Sequence, residues 1–278
     1  MARRTGAILC PSCRKLISID APRCPFCGAA RPGLWGYGPM LQGVFGAQAN
    51  VVAWIIPVCI GLYVVGILMD VQGALESKGF LSFLSPSTAA LYRLGMTGSG
   101  SLFGSRWWTL LTAIYLHGGL LHIFFNMMWI RQLGAETQQL FGAARFVILF
   151  SVTGAAGFLL SGLLGVRFSI GASGAIFGLL GAMLAYTRRH RSSLGDLASR
   201  QVLQWAVILL LFGFMTPGVN NLAHLGGFAS GYLLGQRLPA AAERPASRLE
   251  QLVALGLVGL TGMGFVLSLT QTAGLLGR

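Results

Sequence analysis

Charge is what this chain has least of. Across 278 residues, Asp, Glu, Lys and Arg make up only 10%, against about 25% in soluble domains. Acidic groups are scarcer still, at 7 residues against 20 Lys and Arg. Each shortage excludes something. The polar coat of a soluble globular domain is missing, since 54% of the residues are hydrophobic and mean hydropathy is +0.70. An aspartyl dyad within the membrane is excluded, because no acidic residue falls inside a long uncharged run. A zinc protease's H-E-x-x-H is also absent, since His117 and His122 are spaced H-x4-H without the Glu.

What is present is apolar length. Crossing a bilayer takes about 20 apolar residues at about 1.5 Å each. Runs of that scale predict spans at 51–69, 119–130 with flanks on both sides, 146–166, 170–187, 202–215, 220–236 and 251–272. Pro217 and Gly218 divide the run 201–236 into two helices. The expected fold class is an all-α polytopic membrane protein.

The net charge of +13 does not mark a nucleic-acid partner, because the Arg residues fall between spans. A cytoplasmic N-terminus places 15 of the 20 Lys and Arg on the inner side, as the positive-inside bias requires. The opening MARRTGAILCPSC meets a cysteine pair before any hydrophobic core, so the first span is expected to be the signal anchor. A long outer loop from Asp70 to about Gly118 carries FLSFL, TAALYRLG and SRWWTLLT, which suit short interfacial helices. Trp107 and Trp108 read as aromatic-belt anchors. On the inner side, AAAERPAS reads as a flexible loop, His190 as part of a solvated basic loop, and Glu136 as a helix-end tether between neighbours.

Residues 1–31 read as a small polar module and 32–50 as a Gly-rich linker. The knuckles Cys10-Pro-Ser-Cys13 and Cys24-Pro-Phe-Cys27 can give four thiolates to one tetrahedral zinc, and so short a segment has no apolar core to fold around instead. A reducing cytoplasm disfavours two disulfides, whereas four cysteines alone do not separate zinc from iron. Structural zinc is the expected cofactor, with an unknown partner for the module. Cys59, alone in the first span, reads as a small apolar side chain.

Polar groups inside hydrocarbon are costly, so each is informative. Here they are His117, His122 and Asn126 around the second span, Ser173 in the fourth, and Asn220, Asn221 and His224 in the sixth. These three spans run in one direction and carry their polar groups near their starts, which predicts a common depth in the outer half of the bilayer. Gly174 and Gly178 in the fourth span, and Gly227 and Gly231 in the sixth, form small-xxx-small faces that let two backbones approach. If those faces meet, the His224 imidazole reaches the Ser173 hydroxyl and can take its proton. Ser173 also opens a helix whose free N–H groups favour an oxyanion. His122 and Asn126, at i and i+4, can add side-chain donors from one helix face. A Ser-His dyad is the chemistry that remains.

These residues resemble the rhomboid intramembrane serine proteases over about residues 51–240. The motifs are HGGLLHIFFN, GASG and AHLGGFASG. The resemblance implies a six-helix core for 51–240, with 241–278 adding an inner loop and a seventh transmembrane helix. It implies Ser173 as nucleophile, His224 as base, and His122, Asn126 and the Ser173 N–H as oxyanion donors. It also implies that His117 lines a water-accessible cavity and that Phe177 packs its ring on His224. The implied substrates are single-span or multi-span membrane proteins, cut within the lipid bilayer near the outer face of a bacterial inner membrane, and no cofactor serves catalysis. One departure is Thr109, which stands where the family's outer loop often carries Arg after Trp. Two rival classes are a rhomboid-like protein that binds clients without cutting them and a His-lined transporter or metal carrier. The first would normally have lost the Ser or the His, and the second calls for mid-membrane carboxylates that this sequence lacks.

Overall fold

In a computed structural model, the described residues are 6–10, 13–33, 44, 49–76, 83–190 and 192–276. Most of the expected linker, and Phe80 to Ser82 of FLSFL, lie outside them. Within them, seven long helices follow the seven expected spans. These are α1 Val52–Leu68, α2 Leu120–Phe141, α3 Ala143–Leu163, α4 Ser173–Arg189, α5 Ser193–Met215, α6 Asn221–Gly235 and α7 Arg248–Leu276. Two boundaries moved. α2 continues past 130 through a π turn, Ile130–Gly134, into Ala135–Phe141. α5 begins at Ser193 rather than 202, capped by Ser192 Oγ, which accepts from Gly195 N at 2.9 Å. Asp196 and Arg200 end the uncharged run but not the helix.

Local chemistry sets the break between α5 and α6. Thr216 is extended (φ −105, ψ 113), as a residue before proline should be. Gly218 takes φ +83, and Asn220 caps α6 by accepting from Ala223 N at 3.0 Å.

α3, α5 and α7 are each long and apolar enough to cross a membrane; α2 qualifies together with Thr109–Tyr115, from which it bends by 94°. α4 has 17 residues and α6 has 15. At about 1.5 Å per residue both fall short of about 30 Å of hydrocarbon. Non-helical backbone is tolerated at that depth only where it is buried in protein or lines a water-filled cavity. The two short helices start side by side, at Ser173 and Asn221, and the backbone that leads into Ser173 is buried in protein at Gly171 and Ala172.

α3, α4 and α6 form the centre, and their interiors hold the buried Phe146, Phe150, Leu179, Leu180 and Ala223. α5 and α7 turn apolar side chains outward, among them Leu211, Phe212, Met215, Val258 and Met263. The α4–α6 seam is close because it is made of glycine. A Cβ on Gly227 would lie 2.0 Å from Gly174 O, and one on Gly231 would lie 1.9 Å from Gly178 O. Gly178 itself turns toward α3, where a Cβ would meet Thr153 Oγ1 at 1.9 Å.

At the arginine-rich end, three expectations need correction. Arg145 is fully buried and gathers the α6–α7 connection around itself. Its Nε donates to Glu250 Oε1 (2.8 Å) and Nη2 to Glu250 Oε2 (3.2 Å). Backbone carbonyls of Pro239, Arg244 and Pro245 accept at 3.0, 2.9 and 3.2 Å. AAAERPAS is thus a bonded strap, because its carbonyls and Glu250 offset the cost of burying the guanidinium. His190 is not simply solvated, since its Nε2 lies 2.9 Å from Glu243 Oε1. Glu136 is exposed, and the tether near it is Gln138, whose Oε1 accepts from Val51 N (2.9 Å) and whose Nε2 donates to Ala49 O (2.7 Å).

The N-terminal module is a two-stranded antiparallel sheet, β1 Ala7–Leu9 and β2 Leu16–Ser18, followed by the second knuckle. It meets α7 where Arg248 Nη1 donates to Ala30 O at 2.7 Å.

Candidate active site

Because the seam between α4 and α6 has no side chains to hold it open, residues at its upper end are forced together. His224 Nε2 lies 2.9 Å from Ser173 Oγ, a hydrogen bond between residues 51 positions apart. Ser173 is the first residue of α4, where backbone N–H groups have no intrahelical acceptor. His224 is 5% exposed and Ser173 half-buried. Phe177, one turn below Ser173, stacks on the imidazole with centroids 4.4 Å apart and planes 13° apart, and this fixes the ring plane.

His122 approaches from α2. Its Nδ1 accepts from Gly118 N at 3.2 Å, which leaves the proton on Nε2. That Nε2–H points at the turn before Ser173, where Gly171 has φ +115. A Cβ there would sit 2.7 Å from His122 Nε2 and 3.9 Å from Ser173 Oγ, so the hydroxyl and the donor flank one small space that glycine leaves clear. Asn126 lies one turn further along, 5% exposed. One N–H of its amide donates to His122 O at 2.8 Å, and its Oδ1 has no protein partner. His117 is fully buried with its ring centroid 5.2 Å from that of His122, and neither of its nitrogens has a well-formed partner. The arrangement provides a hydroxyl, an imidazole aligned on it, and the His122 Nε2–H donor on the other side of the same space.

Three contributions escaped the sequence reading. Asn221 Oδ1 lies 3.2 Å from His224 Nδ1, on the ring edge opposite Ser173; the i, i+3 spacing on one helix face was the available signal. Trp108 is no belt anchor. It is buried, and its Nε1 donates to Ser268 Oγ of α7 at 3.1 Å, while Trp107 is the exposed member of the pair. Thr109, at the position of the expected Arg, is buried and donates to Arg106 O at 2.7 Å. Arg106 itself packs on the Tyr92 ring at 4.1 Å and its Nη2 donates to Tyr92 O at 3.1 Å, while its Nε and Nη1 have no hydrogen-bond partner among the described residues, so the loop between α1 and α2 is tied at Tyr92 without an Arg after the Trp pair. A cavity of about 600 Å³ lined by Arg188, Asp196, Ser199, Arg200 and Tyr232 lies at the other end of α4 and has no nucleophile–base pair.

The four cysteines form a second candidate centre. All four sulfurs lie within 4.8 Å of one another. The pairs Cys10–Cys27 and Cys13–Cys24 are 3.7 and 3.6 Å apart. A tetrahedral ion with metal–sulfur bonds of about 2.3 Å has sulfur–sulfur edges of about 3.8 Å, so the set fits such an ion. Both knuckles turn alike: Cys10 O accepts from Arg14 N and Cys24 O from Gly28 N, and both donor residues have positive φ. Desolvation opposes ionisation of the Cys24 thiol, but the Phe26 and Cys27 N–H groups favour its thiolate and it is lowered to about 6. The Ala29 N–H favours the Cys27 thiolate, yet desolvation and the three neighbouring sulfurs raise that thiol to about 12. A cation is what allows four thiolates to share so small a volume.

Comparison with known proteins gives the same direction as the geometry. The Rhomboid domain family matches residues 104–240. RHOMBOID-like protein 5 of Arabidopsis thaliana is 37% identical over 176 residues, which is 61% of this chain and 57% of that protein. Rhomboid protease GluP of Bacillus subtilis is 31% identical over 154 residues, 55% of this chain and 30% of its own. The chain spans about half the length of the first curated relatives it matches. Putative rhomboid protease YdcA of the same bacterium is 32% identical over 167 residues, 58% of this chain and 83% of YdcA. With a relative matched over most of its own length, and the domain match running from the α1–α2 loop through α6, this chain belongs to the rhomboid family.

Proposed function

We propose that the chain is an intramembrane serine endopeptidase acting on the transmembrane segments of membrane proteins. The observation that carries this reading is the 2.9 Å bond between Ser173 Oγ and His224 Nε2. As a substrate carbonyl arrives, the Ser173 proton passes to His224 Nε2 and Oγ bonds to the carbonyl carbon. The resulting oxyanion is met by His122 Nε2–H, the Ser173 N–H and the Asn126 amide. His224 then hands its proton to the leaving amide nitrogen, the C–N bond breaks, and water releases the acyl group by the reverse relay. The family includes named proteases, and the presence of both hydroxyl and imidazole favours cutting over client binding alone. The test is a purified preparation in liposomes with a single-span reporter. Wild type should cut, and Ser173→Ala and His224→Ala should not. Fluorophosphonate should label Ser173 alone. Cutting by Ser173→Ala, or no cutting by wild type, overturns the assignment.

The same reading places the Ser173 end of the bundle at the outer face of a bacterial inner membrane and the N-terminus in the cytoplasm. It takes residues 1–31, 32–50, 51–240 and 241–278 as module, linker, protease core, and inner loop with seventh span. Cys10, Cys13, Cys24 and Cys27 would hold one structural zinc, with no part in the chemistry at Ser173. Metal analysis of fresh protein should find one zinc per chain, lost in Cys24→Ser; iron in its place, or no metal, overturns the zinc assignment.

A further inference from the structure

The imidazole of His224 has two edges, and only one faces Ser173. Neutral imidazole carries one N–H and one bare nitrogen. For Nε2 to accept the serine proton it must be the bare one, so the ring's hydrogen has to sit on Nδ1. Nothing in an apolar membrane core selects that tautomer unless an acceptor stands at Nδ1. Asn221 Oδ1, at 3.2 Å, is that acceptor. Its neighbour Asn220 is occupied differently, capping α6 and donating to Ser169 Oγ at 2.8 Å. The orientation of the Asn221 amide is held from the next helix. Gly213 of α5 is buried against it, and a Cβ there would lie 2.3 Å from Asn221 Oδ1 and 3.3 Å from its Cγ.

We infer that Asn221 is a positioning residue for the base, and that Gly213 keeps the space its carboxamide needs. This rests on the Ser173–His224 reading and extends it from a dyad to a Ser–His–Asn arrangement. As His224 gains the serine proton, the neutral Nδ1–H···Oδ1 bond becomes charge-assisted and strengthens. Its contribution is therefore larger in the transition state than in the resting enzyme, which is the condition for raising kcat. A carboxylate in this role would bury a charge at membrane depth, whereas an amide accepts the same hydrogen without one. That is consistent with the absence of acidic residues from α4 and α6, the two helices that carry Ser173 and His224.

The experiment uses the full chain in liposomes with a single-span reporter, measuring kcat and KM for wild type, Asn221→Leu, Asn221→Asp and Gly213→Ala, beside Ser173→Ala. Leu matches the size of Asn but accepts nothing. Its kcat should fall about 10- to 100-fold, part of the 10²–10⁴ that a positioned base supplies, with KM within about 2-fold. Asp restores an acceptor and should recover most of kcat. Gly213→Ala should lower kcat about 10-fold and add little to Asn221→Leu, because both act through one amide. Wild-type kcat in Asn221→Leu, or loss in Leu that Asp does not recover, overturns the inference while leaving the protease reading intact if Ser173→Ala is inactive. Cutting by Ser173→Ala removes the protease reading instead. Should thermal unfolding show that Asn221→Leu does not fold, Gly213→Ala decides: reduced kcat at unchanged KM supports the inference and wild-type kcat overturns it.

Discussion

Two polar clusters lie at opposite ends of the α3–α4 pair and are built differently. Around Arg145 no guanidinium nitrogen is left over: one carboxylate and several backbone carbonyls take every donor. Around Ser173, polar atoms remain unmatched, namely both nitrogens of His117 and Oδ1 of Asn126. A fully met network rigidifies a fold, and one with unmatched groups costs stability that evolution retains where chemistry needs it. The first cluster ties the α6–α7 strap to the bundle. The second leaves polar atoms without partners close to the Ser173 hydroxyl and the His122 ring.

The contrast predicts opposite phenotypes, and the largest is at the hydroxyl. Ser173→Ala should reduce cutting by more than about 10³-fold while leaving the unfolding temperature unchanged or raised; a large drop in that temperature would break the contrast. Arg145→Ala leaves Glu250 to Arg244 and the Ser247 N–H and strips the strap carbonyls of their buried donor; it should cost about 3 kcal/mol of stability in a denaturant titration, with the fraction that remains folded still cutting. His122→Leu should lower kcat by about 10²–10³, the usual effect of losing one oxyanion donor, again without loss of stability. The smallest effect belongs to the seventh helix: Ser268→Ala removes the partner of Trp108 Nε1 and should cost about 1 kcal/mol, measured as a slight fall in unfolding temperature at unchanged kcat. A Ser268→Ala protein that is stable but inactive would mean that α7 serves the chemistry rather than the scaffold.

Much of the candidate site was legible because membrane burial makes polar residues conspicuous. Ser173, His224 and His122 stood out in apolar runs, and the glycine spacing of α4 and α6 foretold their contact. Asn221 was visible but carried no assigned role, since its part depends on where the two edges of a ring point. Arg145 was counted only as topology-setting charge, because nothing near it in sequence shows that residues about 100 positions later supply its acceptors. Trp108 was misplaced for the same reason: its partner Ser268 lies 160 residues away.

By itself the sequence determined the class of the molecule, the number of long helices, the four-cysteine knuckles and which hydroxyl and imidazole are candidates for nucleophile and base, because hydropathy, spacing and cost of burial are local properties. Only the tertiary structure decided which ring edge meets which oxygen, which loop is bonded and which polar atoms are left unmatched. Those depend on direction and distance between segments far apart in the chain, and a hydrogen bond is lost within a fraction of an ångström or a few tens of degrees.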